Sequence, residues 1–321
     1  MTESRDKLIL AGIPVLVEHR SDILAERLRD LYSHSVSSPS VEASPKSTKT
    51  VVIDARGGDP EPPPANPTVE MMSDRLIWGE LRDDTFVISD GRSFGLIDYR
   101  TGRAELTLHR VDRAARFAAT HRIFPTLLGE LLRLENRYYL HGAAIASESG
   151  GVLLLGDSES GKSTIVYRLM QQGWRYVADD GVLVGPSSDG LYIYPYYREF
   201  TLDPAVLTDE DRERAIPVEP GQSFPKVKLE LDTQPTAPLC RPDQVFIVKR
   251  TDQKSRWESC TPGRTLEEIY RQGPSMLLHP DLAKKHLKTM INLTEADRVG
   301  IIYSGGNILQ LSNICSLWGG K

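Results

Sequence analysis

Residues 8–17, LILAGIPVLV, form an apolar run interrupted by Gly12 and Pro14, and the pattern predicts a strand. Ile23, Leu24, Leu28 and Leu31 then recur at helical spacing. That predicts a helix over residues 21–31, with Ser21 able to cap it. Residues 33–49 turn to Ser, Pro and Lys, a composition that cannot bury enough apolar surface to fold. A loop or disordered insert is expected there, and a Pro-rich linker over residues 59–67. TVVID at residues 50–54 reads as a short strand between them. From Ile77 to His109, Phe86–Ile88, Phe94–Tyr99 and Ala104–His109 are short apolar or alternating runs. Asp90-Gly91 and Thr101-Gly102 separate them as turns, so the pattern predicts a small antiparallel meander. Phe117, Ile123, Phe124, Leu127, Leu128, Leu131, Leu132 and Leu134 supply the apolar face of a long helix over residues 113–137, which Pro125 is expected to kink or divide.

From residue 138 strand-like and helix-like segments alternate, as in an α/β sheet with crossover helices. Residues 265–272 and 281–293 read as helices, with Thr265 and Glu268 as a capping box. Val299–Tyr303 and Ile308–Leu311 flank Gly305-Gly306-Asn307 and read as a hairpin. Two regions are therefore expected. Residues 1–137 form a smaller α+β region with a loop insert near 33–68, and residues 138–321 an α/β domain. No internal repeat is seen.

The strongest chemical signal is GVLLLGDSESGKST at residues 151–164. Val152–Leu155 is a continuous apolar run suited to a buried parallel strand. It feeds into Gly156, Asp157, Ser158, Glu159, Ser160, Gly161, Lys162 and Ser163, which satisfy G-x-x-x-x-G-K-[ST], with Thr164 next. Ile165, Val166, Leu169 and Met170 follow at helical spacing, completing strand, loop and helix. Such a loop turns its amides on phosphate oxygens while the helix aims its positive end at them. Lys162 is a mobile charge for the β and γ phosphates, and Ser163 a hydroxyl for Mg²⁺. ATP with Mg²⁺ is the expected ligand.

After that helix comes GWRYVADDGVLV at residues 173–184, where Gly173 ends the helix and Tyr176–Ala178 and Val182–Val184 read as strands. Asp179-Asp180 falls at a strand end, where ligands of open α/β sheets collect. One carboxylate could hold Mg²⁺ and the other could accept a proton from an attacking hydroxyl. A solvated Asp-Asp-Gly turn is the plain alternative. His141 precedes the strands leading to the loop, and a His-Gly there can equally be a structural turn. Arg198, Lys226 and Lys228 could clamp phosphate or an acidic substrate, or form a solvated strand face.

Composition narrows the partners. The net charge is −5, against the basic excess usual in nucleic-acid binders. No apolar run approaches the ~18 residues that span a bilayer, and the first residues lack the regions of a signal peptide. Cys240, Cys260 and Cys315 are odd in number and contain no CxxC pair, which supports neither a disulfide framework nor a structural zinc site. A cytoplasmic location is expected, with neither nucleic acid nor membrane as partner.

The stretch from His141 to Val184 resembles the catalytic domain of the HPr kinase/phosphorylase family. The likeness rests on LHGAAIA, GDSESGKST and GWRYVADDGVLV, in order and spacing. It implies a P-loop fold akin to phosphoenolpyruvate carboxykinase and transfer of the ATP γ-phosphoryl group to a serine hydroxyl of a protein or peptide. It further implies Asp180 as proton acceptor, Lys162 as phosphate-binding lysine, Ser163 on Mg²⁺ and His141 beside the phosphates, which leaves Asp179 as the carboxylate of the pair for Mg²⁺. Glu199 is the best match to a further metal-ligand glutamate. The chain departs from the family at Thr164, where Glu is usual, and Pro262-Gly263-Arg264-Thr265 only partly matches a Pro-Gly-Arg-Asn signature. A kinase of small molecules such as free amino acids, and a nucleotide-binding switch without turnover, remain open, as does self-association into a homo-oligomer.

Overall fold

The structure is a computed structural model that describes residues 4–36, 51–58, 69–72, 76–148, 150–197, 199–218, 226–231, 236–273, 279–296 and 298–305. It is a mixed α/β protein that divides into two compact units, Met1–Tyr138 with Ser275–His286, and Tyr139–Pro274 with Leu287–Lys321.

The first unit contains an eight-stranded sheet in the order β1-β2-β3-β8-β7-β6-β5-β4. Its strands are β1 (Ser4–Leu10), β2 (Ile13–His19), β3 (Val51–Gly58), β4 (Val69–Met72), β5 (Leu76–Arg82), β6 (Thr85–Ser89), β7 (Phe94–Asp98) and β8 (Arg103–His109). The expected single strand over residues 8–17 is instead a hairpin, with Leu10 paired to Ile13. Ala11 and Gly12 take φ of 51° and 78°, the two positive values that a tight hairpin turn requires. β3 runs parallel to β2 and β8, while β5 to β8 form the expected antiparallel meander.

Helix α1 (Asp22–Val36) is capped by Ser21, whose Oγ accepts from the Leu24 amide at 3.3 Å. It runs past residue 33, where the loop insert was expected to begin, because Leu31 and Tyr32 extend its buried face. The rest of that insert, and the linker at 59–67, lie outside the described residues. Helix α2 (Arg113–Leu134) is one helix with Pro125 inside it, so no second helix starts there. An interior proline costs about 3 kcal/mol. Phe124, Leu127, Leu128, Leu131 and Leu132 are fully buried on the same helix, at about 1.5–3 kcal/mol each. Their burial decides the outcome. Phe117, assigned to the apolar face, is 51% exposed instead. The helix also buries an ion pair, with Arg133 Nη1 2.6 Å from Glu130 Oε2, and Tyr99 donates to the same oxygen at 2.7 Å.

The second unit is built on a six-stranded sheet in the order β12-β10-β11-β18-β20-β19, with two three-stranded sheets, β14-β13-β9 and β15-β17-β16. β9 is Tyr138–Leu140, β10 Gly142–Ser147, β11 Gly150–Leu155, β12 Arg175–Ala178, β13 Val182–Ser187 and β14 Gly190–Pro195. β15 is Thr201–Leu202, β16 Ile216–Pro217, β17 Val227–Lys228, β18 Pro242–Arg250, β19 Arg256–Ser259 and β20 Arg298–Ser304. The sheet is mixed rather than wholly crossover-connected. β11 is antiparallel to β10 across a hairpin and parallel to β18, which is in turn parallel to β20.

Helix α3 (Lys162–Met170) leaves the end of β11 and buries Ile165, Val166, Tyr167, Leu169 and Met170 in one core with Val152, Leu154 and Phe246. It stops at Gly173 (φ 88°), where the Gly173 and Trp174 amides donate to Met170 O and Leu169 O. Those two bonds satisfy the last carbonyls in a Schellman arrangement. α4 (Asp209–Arg214) is short. α5 (Pro262–Arg271) begins three residues before its predicted cap. Thr261 caps it, Pro262 fills the first position that needs no donor, and Thr265 is buried inside the helix. The capping box at Thr265–Glu268 is therefore absent, and Pro262-Gly263-Arg264-Thr265 is a helix first turn. In α6 (Pro280–Leu293) the division between the units falls after His286. β20 pairs with β18 and β19, while the hairpin partner expected at 308–311 lies outside the described residues.

Candidate nucleotide site

The loop between β11 and α3 is set by three positive backbone angles, at Gly156 (φ 141°), Glu159 (φ 63°) and Gly161 (φ 104°). At Gly156 glycine is compulsory for a second reason. A Cβ there would stand 2.3 Å from the Val248 carbonyl oxygen on the neighbouring strand. Gly161 occupies the N-cap of α3 with no side-chain cap, which leaves the first amides of the helix available to an anion.

Lys162 turns back over this loop. Its Nζ donates to Gly156 O at 2.8 Å and Asp157 O at 2.9 Å, and stands 3.1 Å from His141 Nε2. The side chain is buried, and burial holds its pKa below the usual lysine range, while Asp179, Asp180 and Asp157 work to raise it. An ammonium group can only donate, so His141 Nε2 accepts. The His141 proton therefore sits on Nδ1, 3.0 Å from the Asp180 carbonyl oxygen. Burial and the Lys162 charge keep the imidazole neutral by lowering its pKa.

β12 delivers the two aspartates into opposite environments. Asp179 is buried, and burial, followed by the Asp180 charge, pushes its carboxyl up to about 7 against the Ser163 hydroxyl and Lys162. Its Oδ1 has no hydrogen-bond partner among the described residues. Asp180 has φ 62° and a side chain 76% exposed, with Oδ1 3.5 Å from His141 Nδ1.

One cavity of about 660 Å³ collects these groups. His141, Ser158, Glu159, Ser160, Gly161, Lys162, Ser163, Thr164, Asp179 and Asp180 all line it. Gly156 is not on its wall, and Asp157 lines a second, smaller hollow. Glu199 is not brought to the cavity and stands 3.8 Å from Lys228 Nζ. Lys226 does line the cavity, while Arg198 is outside the described residues. The sequence reading missed Thr201, Asp203, Arg250, Thr251, Asp252 and Ser304 on the wall. Arg250 and Ser304 end β18 and β20, which run parallel to β11 and its loop. The apolar runs of those strands, each ending in a polar residue, are the signal that could have found them. Cys240 is a buried free thiol pushed up to about 12 by burial, as expected of a structural cysteine.

The residues fit a magnesium ion. A carboxylate oxygen of Asp179 is buried without a hydrogen-bond partner among the described residues, and the hydroxyl of Ser163 lies against the same carboxylate. No three His, Cys, Asp or Glu side chains among the described residues form a complete metal cage. Magnesium bound through one carboxylate and nucleotide phosphates needs none.

No family model matches this chain, and no curated protein matches it. Among solved structures it is similar to the HPr(Ser) kinase/phosphatase from Coxiella burnetii, at 14% identity over 38% of this chain and 72% of that one. The TM-score is 0.23. A likeness so low decides neither the fold nor the activity. No helix among the described residues is long and apolar enough to cross a membrane.

Proposed function

We propose that the second unit is an ATP-dependent, Mg²⁺-requiring kinase of the P-loop type, transferring the γ-phosphoryl group to a serine hydroxyl of a protein or peptide. One observation carries the reading: a loop lysine, a buried carboxylate with an unpartnered oxygen and an exposed carboxylate line the same cavity. Its volume, about 660 Å³, is in the ordinary range for a site holding a ligand of this size. The likeness of residues 141–184 to the HPr kinase/phosphorylase catalytic domain supports serine as the acceptor.

In this reading the loop amides and the positive end of α3 receive the phosphate oxygens. Lys162 exchanges its two carbonyl partners for phosphate, and neutral His141 keeps the ammonium group on the phosphate side. Ser163 and Asp179 would hold a magnesium ion, which would supply charge neutralisation for the β and γ phosphates. Asp180 orients the attacking hydroxyl and accepts its proton as oxygen bonds to the γ-phosphorus and the bond to the ADP oxygen breaks. Phosphoryl transfer demands mainly positioning and charge stabilisation, which this residue set supplies in kind.

The test is incubation with γ-labelled ATP, Mg²⁺ and the proteins and metabolites of a cell extract, followed by mass-spectrometric mapping of the label. Label on a serine side chain supports the proposal. Label on a free metabolite moves the assignment to a small-molecule kinase, and nucleotide binding with no transfer leaves a switch.

A further inference from the structure

We propose that Tyr139 is a positioning residue that sets the aim of the Asp180 carboxylate; the role rests on the kinase reading, in which Asp180 is the proton acceptor. Asp180 is a non-glycine residue in the left-handed region, at φ 62°. Such a conformation persists only where its surroundings over-determine it. Here the surroundings are visible. The Asp180 carbonyl oxygen accepts from Tyr139 Oη at 3.3 Å and from His141 Nδ1 at 3.0 Å. On its C-terminal side, the Gly181 amide donates to Asp179 O at 2.7 Å, and Gly181 O accepts from the Tyr196 amide at 3.2 Å.

The tyrosine rings close the space beside this peptide. Tyr139 meets Tyr196 edge to face at 5.0 Å, and Tyr196 packs on Tyr197 at 4.6 Å. A Cβ on Gly181 would stand 2.8 Å from the Tyr197 ring and 2.9 Å from the Tyr139 ring. The backbone thus has a wall on one side and two donors on its carbonyl. A return of Asp180 to ordinary negative φ would turn that carbonyl from both donors and swing the carboxylate with it. The Asp180 side chain is mostly exposed. Its direction is therefore fixed mainly through the peptide that Tyr139 and His141 hold. Tyr139 itself lies outside the cavity lining and acts through Asp180.

Tyr139→Phe tests this, because it keeps the ring and its packing and removes only the hydroxyl. The expected result is a fall in kcat of about tenfold with KM for MgATP within about twofold, as misplacement of a reacting group slows chemistry more than binding. In an Asp180→Asn background the same change should slow the residual rate no further, since the two residues act as one unit. Amide hydrogen exchange at Gly181 should speed up about tenfold, with Ile145 and Leu153 in the neighbouring strands unchanged. A wild-type kcat in Tyr139→Phe, an equal loss in both backgrounds, or unchanged exchange at Gly181 each overturns the proposal. If the wild-type protein transfers no phosphoryl group to any acceptor, the kinase reading fails, and the Gly181 exchange rate still decides whether Tyr139 holds this peptide.

Discussion

Asp179→Asn should make the free protein more stable while removing its response to magnesium nucleotide. In the wild type this carboxylate is buried and its Oδ1 has no partner among the described residues. A buried acceptor left unsatisfied costs about 1–3 kcal/mol, and more when charged. The sign follows from the carboxyl, which burial pushes up to about 7, against an ordinary value of about 4 in the unfolded chain. Between those values the folded protein binds the extra proton, so this group's contribution to stability falls as pH rises from about 4 to about 7. An asparagine carries no such charge. Its advantage should grow by about 1.4 kcal/mol per pH unit from about pH 4 to pH 7 and level off by pH 8, at up to about 4 kcal/mol. For a folded body of this size that is about 2–4 °C of melting temperature per kcal/mol. The assay is thermal unfolding of wild type and variant at pH 5, 7 and 8, with and without MgATP. Wild type should gain about 2.7 kcal/mol at a hundredfold excess of ligand over Kd, and Asp179→Asn little of it. A variant less stable than wild type at pH 8, or one that keeps the full MgATP shift, refutes the reasoning.

Other outcomes follow from the same geometry. Lys162→Met removes the charge that faces the loop and should weaken ATP binding at least tenfold by fluorescence titration, since a cation at contact distance is worth about 4 kcal/mol at an effective dielectric of 20. If Asp179 holds magnesium as proposed, it does so as a carboxylate, so MgATP binding should release a proton below pH 7 and weaken by up to about tenfold per pH unit below it, read by calorimetry in buffers of different ionisation enthalpy. In the first unit, Glu130→Leu leaves the buried Arg133 charge without its carboxylate and should destabilise by about 3–5 kcal/mol in urea unfolding.

What the sequence disclosed followed from local physics. The glycine-bounded loop, its strand and its helix were legible because few backbone paths let amides converge on phosphate, and those paths require glycine at Gly156 and Gly161. The meander of β5 to β8 was legible because its period of two is interrupted by turn residues. Long-range facts were hidden. That β11 pairs with both β10 and β18 depends on sheet order, so the polar ends of the β18 and β20 runs, Arg250 and Ser304, could not be tied to the site without it. Pro125 does not divide its helix, because its local cost is outweighed by burial that only the packed helix creates. Thr265 misled because it has a cap's chemistry, while Thr261-Pro262 upstream supplied a better start. Glu199 was placed by family pattern alone, and it stands by Lys228, off the cavity wall, in the segment before β15.

In the proposed kinase, binding falls to the loop and proton acceptance to Asp180. The most direct measurement is Asp180→Asn, with MgATP affinity by calorimetry and loss of the γ-phosphoryl group from labelled ATP measured on the same preparation. The account predicts a Kd within about threefold of wild type and a transfer rate lower by about 10²–10⁴, the usual range for a lost acid–base group. An unchanged rate, or a loss of affinity as large as the loss of rate, contradicts it.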